Sequence, residues 1–174
     1  LTWSDNGILQ TGTGTITFNG AQSAGSNTLN ITASGAGDIG VDGAITAGTL
    51  NISTAGGTVT QSAAITATNL SLAGSAATYT LTNTSNAITT LAANTGTLSF
   101  LENSGFAIGS VNSITGATAT NLYLSSTGTV TQSQAITATN LSLAGSGGTY
   151  TLTNASNAIT TLSADTGTLS FLEN

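Results

Sequence analysis

Short runs in which apolar and small polar residues alternate recur along the chain: Leu29-Asn-Ile31, Leu50-Asn-Ile52, Leu70-Ser-Leu72, Leu98-Ser-Phe100, Leu122-Tyr-Leu124, Leu141-Ser-Leu143 and Leu169-Ser-Phe171. A two-residue period marks a strand with one buried face, and Thr, Ile and Val favour that pleated surface. Two further strand-like tracts precede most of these anchors, such as Gly57 to Gln61 and Ala64 to Ala67 before Leu70. Gly and Asn at the junctions suit tight turns, and no helical period is present. About three short strands per 19 to 28 residues, repeated seven times, predicts an all-β chain coiled as a right-handed parallel β-helix, each rung stacked on the last. The rungs fall near 14–34, 35–55, 56–75, 76–103, 104–126, 127–146 and 147–174.

A longer repeat is superimposed on this one. Residues 57–103 recur at 128–174 with an offset of 71, and 41 of 47 aligned positions are identical. The six differences (Ala63/Gln134, Ala76/Gly147, Ala77/Gly148, Thr84/Ala155, Ala92/Ser163, Asn94/Asp165) spare every Val, Ile, Leu, Phe and Tyr. The chain therefore divides into a leader or partial repeat, 1–32, and two 71-residue units, 33–103 and 104–174, of three rungs each in one continuous solenoid. The predicted core comprises Ile16, Leu29, Ile31, Ile45, Leu50, Ile52, Val59, Ile65, Leu70, Leu72, Leu98, Phe100, Leu122, Leu124, Val130, Ile136, Leu141, Leu143, Leu169 and Phe171.

Composition narrows the chemistry. The 174 residues are 39% hydrophobic and only 3% charged, a balance that folds rather than remaining disordered. All six charged side chains are acidic, so no side-chain salt bridge can form, and nothing can neutralise the phosphates of a nucleic acid. With no Cys and no His, disulfides, thiol nucleophiles and Cys or His metal sites are excluded. No apolar run reaches the roughly 18 residues of a membrane-spanning helix. The start, Leu1-Thr-Trp-Ser-Asp5, has neither Met nor the basic and apolar stretches of a signal peptide, which suggests an excised or processed piece.

The tandem tract GTVTQSxAITATNLSLAGSxxTYTLTNxSNAITTLxAxTGTLSFLEN resembles the repeat regions of large bacterial exoproteins of the filamentous haemagglutinin type, secreted by two-partner or autotransporter routes. The resemblance covers about residues 30–174. It implies a right-handed parallel β-helix at a Gram-negative surface, secreted or extracellular, serving as the shaft of an adhesin. The activities of such proteins usually sit in other segments, so the resemblance carries over no functional residues.

Each candidate site has a structural explanation beside it. Asp38 and Asp42, in Gly37-Asp-Ile-Gly-Val-Asp-Gly43, are a weak calcium candidate, since a hard cation wants several oxygens on a flexible loop; two carboxylates are few, and turn positions explain both. Glu102 and Glu173 are equivalents three rungs, or roughly 14 Å, apart, too far for a glycosidase pair at about 5 to 9.5 Å, and read as solvated turn residues. Thr15/Thr17, Thr58/Thr60, Thr78/Thr80, Thr129/Thr131 and Thr149/Thr151 form Thr-x-Thr pairs that could order water, but Asp38 to Gly40 and Ala107 to Gly109 interrupt them. Asn30, Asn51, Asn69, Asn121 and Asn140 beside the anchors, and Asn83, Asn86, Asn154 and Asn157 in turns, suit rung-to-rung ladders. Trp3, Tyr79, Tyr123 and Tyr150 are scattered singly and read as core or edge fillers rather than a sugar platform.

The expected function is a non-catalytic structural shaft or filament segment of a secreted surface adhesin or exoprotein, with no cofactor. Its partners would be adjoining repeats or other copies set end to end, without nucleic acid or membrane span. The alternative is a recognition module that binds ice or glycan through a Thr-rich face.

Overall fold

The computed structural model describes all residues, 1–174, and contains strands and turns but no helix. The alternating sequence forms a parallel β-solenoid. Fourteen strands make one continuous sheet wrapped around a single apolar core, and every pairing in it is parallel. One column of the coil runs Ile16, Ile39, Val59, Tyr79, Leu98, Leu122, Leu141, Leu162, each Cα paired with the next. Eight layers stand in that column, about 34 Å from first to last at the usual strand spacing.

A second column stacks Leu29, Leu50, Leu70 and Leu91, and a third tract stacks Gln22, Ile45 and Ile65. The leader is already coiled, since Gly7–Thr11 pairs with Thr28–Ala33 residue for residue. Ile65–Leu81 is one strand that turns a corner, and Gly74 makes the bend possible. Its φ is +135°, and a Cβ there would stand 1.9 Å from the Thr54 carbonyl oxygen of the layer below. Gly145 repeats this geometry at φ +125°, 2.0 Å from the Ser126 carbonyl oxygen.

The count of turns corrects the expected seven rungs to about eight. Leu91 and Leu162 are column residues paired with Leu70 and Leu141, but flanking Ala and Ser hide them from a search for apolar-x-apolar anchors. Leu98-Ser-Phe100 stacks not on Leu70-Ser-Leu72 but on Tyr79-Thr-Leu81, one face further round. Of the expected core, Leu169 and Phe171 are only half-buried, because nothing covers the last turn; the others are buried.

The two units do not sit squarely on one another. Following the layers upward from Leu70 leads to Leu91, Ile108 and Gln132, so three full turns end at Gln132. The equivalent of Leu70 is Leu141, nine residues further along, and it stands in the column of Tyr79, Leu98 and Leu122. A 71-residue unit therefore advances three turns plus one face, where three whole rungs were expected. Within each unit the stacking is the same: Val59 under Tyr79 under Leu98 matches Val130 under Tyr150 under Leu169. The junction carries an antiparallel hairpin, Ser110–Val111 with Ile114–Thr115, inserted between Ile108 and Ala117, whose partners Leu91 and Ala93 are only two residues apart. Asn112 at its tip adopts φ 52°, a conformation Asn tolerates better than most residues.

Candidate functional surface

The Asn positions do form ladders. Asn51 donates to Asn30 Oδ1 at 2.7 Å, and Asn140 donates to Asn121 Oδ1 at 2.8 Å. Asn69 and Asn121 instead reach threonine hydroxyls, of Thr49 and Thr97, in the layer below. The turn residue Asn86 does more. Its Nδ2 donates to the carbonyls of Leu81 (3.3 Å) and Leu101 (3.1 Å), and its Oδ1 accepts from the Ile65 N–H at 2.9 Å. Its amide also exchanges two hydrogen bonds with that of Gln61. Asn86 is thus buried at a corner and ties together three successive layers. Asn157 repeats the arrangement with Leu152, Leu172, Ile136 and Gln132. The glutamines were not singled out in the sequence, although their recurrence one unit apart was visible.

Glu102 is not a solvated turn residue. It is fully buried, and its carboxylate accepts from the Ser104 N–H (3.1 Å), the Ser104 hydroxyl and the Gly105 N–H (2.6 Å). With no cationic side chain in the sequence, these three donors satisfy its oxygens and fix the first residues of the following unit. Glu173 is exposed and accepts from the Ile159 N–H at 2.7 Å. The two acids sit on different faces as well as different levels, which moves them further from an acid/base pair.

Asp38 and Asp42 lie exposed along a shallow groove of about 400 Å³ flanked by Thr15, Thr17, Thr58 and Thr60. Each carboxylate serves the next layer: Asp38 Oδ1 accepts from the Thr58 N–H at 2.7 Å, and Asp42 Oδ1 from the Ser62 hydroxyl at 2.8 Å. No third His, Cys, Asp or Glu joins them. The turn-residue account explains both.

Tyr79 and Tyr150 fill the core. Tyr79 donates its hydroxyl to the carbonyls of Ala73 (2.7 Å) and Ile52 (3.1 Å), and Tyr150 to those of Ala144 (2.7 Å) and Leu124 (3.3 Å). Burial raises the Tyr79 phenol well above its ordinary range and pushes that of Tyr150 up to about 12. Tyr123 differs: it is exposed, on the outward side between Ser99 and Ser142.

The Thr-x-Thr pairs divide between two faces. Thr58/Thr60 and Thr78/Thr80 lie on the Tyr79 column, whereas Thr129/Thr131 and Thr149/Thr151 stand over Ala107, in the layer above Thr90. Beside them run two shallow troughs that the sequence reading missed. One, about 530 Å³, is bordered by Thr118, Thr120, Thr137 and Thr139 around Ala138 and Ile159. The other, about 350 Å³, is bordered by Thr66, Thr68 and Thr89 around Ala67 and Ile88. Thr66, Ala67, Thr68, Ile88 and Thr89 are identical to their counterparts 71 residues on, so the trough belongs to the repeat unit.

Among known proteins, no family model, no curated protein and no solved structure matches this chain.

Proposed function

We propose that this chain is a structural segment of the shaft of a secreted bacterial surface adhesin or exoprotein, non-catalytic and built to continue through further units. The observation that carries the reading is the uninterrupted core: one cluster of 39 buried residues passes through both units and their junction, with stacking pairs that recur after 71 residues. A solenoid gains stability by adding layers, since each layer buries the apolar face of the one before. Leu162 is 38% exposed, whereas its equivalent Leu91 is fully buried under the following layer. A further unit, or the first turn of a second copy, would cover Leu162, Leu169 and Phe171 and pair the open strand edge. The resemblance to haemagglutinin-type repeats supports the surface location. Immunogold labelling of the intact cells that make the protein tests it: gold on the surface or on shed filaments is expected, and label confined to the cell interior would overturn the reading.

A further inference from the structure

The repeat unit and the turn of the coil are out of step by one face, and this decides how the surface is presented. We infer that tandem units deal the same surface chemistry onto the three sides of the rod in succession, so that the interaction surface of the shaft is a spiral rather than a strip. The inference rests on reading the chain as part of a longer shaft, but its geometry is fixed within this chain. Leu141 stands over Tyr79, not over Leu70, and the trough around Ala138 lies on a different side from that around Ala67. Each unit of three and one third turns rises roughly 16 Å, and three units, or ten turns, restore the starting face after about 48 Å.

A partner that reads one unit meets the next copy of its site on the adjacent side. Such a surface turns successive copies of one feature to different sides of the shaft. It does not fit a planar lattice such as ice, which needs the same ranks of hydroxyls on one side over many layers. In each trough the aligned threonines span only two or three layers: Thr118 and Thr137 are followed by Ala158, and Thr46 and Thr66 by Ala87.

Because the chain contains no cysteine, two pairs of spin labels test the rotation on the intact protein. Thr80 and Ser142 are three layers apart in one column, through Ser99 and Tyr123. Thr80 and Thr151 are equivalents one unit apart. Labels on T80C/S142C should show the stronger dipolar coupling, and those on T80C/T151C the weaker, with circular dichroism confirming that both variants fold. Equal or reversed coupling would overturn the rotation while leaving the shaft reading intact. Unaltered ice growth at micromolar chain is expected, and faceted crystals would overturn the exclusion of a planar partner.

Discussion

Asn86 and the two buried tyrosines show how a chain without cationic side chains stabilises polar groups inside an apolar coil. Replacing Asn86 by Ala would leave the Ile65 N–H and the carbonyls of Leu81 and Leu101 without these partners. An unsatisfied buried group costs about 1 to 3 kcal/mol, so N86A should lose roughly 3 kcal/mol or more, read as a lower urea midpoint at unchanged slope. The tyrosines confer a pH dependence of known sign. Unfolded, their phenols ionise near 10; folded, Tyr150 holds its proton to about 12 and Tyr79 beyond that. The folded state therefore binds more protons between these values, and stability, full below pH 10, should fall as the pH rises through 10 to 12. No Lys, Arg or Cys titrates alongside them. The Y79F/Y150F double variant should be weaker at pH 7, having lost four hydroxyl contacts, yet lack the alkaline decline. Urea titrations from pH 8 to 11.5 check this; an equal decline in both proteins would refute the assignment.

At the scale of the strand, the corner glycines and column leucines are the positions the fold depends on. G74A would place a methyl group against the Thr54 carbonyl at a φ of +135°, so a loss of at least about 2 kcal/mol is expected in denaturant unfolding. The leucines offer an internal comparison: L91A should cost about 2 to 5 kcal/mol, whereas L162A, one unit later on the uncovered turn, should cost clearly less. Equal losses would show that Leu162 is covered in solution. The elements were largely readable before the structure, because a two-residue alternation implies a strand and a return of about three short strands every 19 to 28 residues implies a solenoid. Leu91 escaped notice because Ala92 and Ala93 are buried by close packing rather than by bulk, and small residues leave little hydropathy signal. Glu102 was misjudged because its burial depends on three donors in Ser104 and Gly105, which follow it, whereas the tract that precedes it is the same as the one before Glu173 and gives no sign of them. The face shift depends on long-range pairing across the 110–115 hairpin, which no local pattern encodes.

For the whole molecule, the uncovered last turn sets up a contest between apolar surface that seeks a partner and a net charge of −6 that keeps copies apart. Salt screens the charge but not the burial of Leu162 and Phe171. Sedimentation of the chain should show larger species growing in with protein concentration and salt, and a strict monomer at the highest of both would defeat end-to-end stacking. The solenoid itself would stand.

The one-face advance of each unit bears on how such a gene can change. Were a tract such as 57–103, repeated at 128–174, gained or lost, a solenoid would accept either event because every layer finds the same kind of neighbour. Length would change by one increment, but direction would change too. Whatever lies beyond the altered array would be swung round the axis by a third of a revolution, and only a change of three copies would return it to its old bearing. Copy number in this repeat is therefore a steering variable as well as a measure of reach.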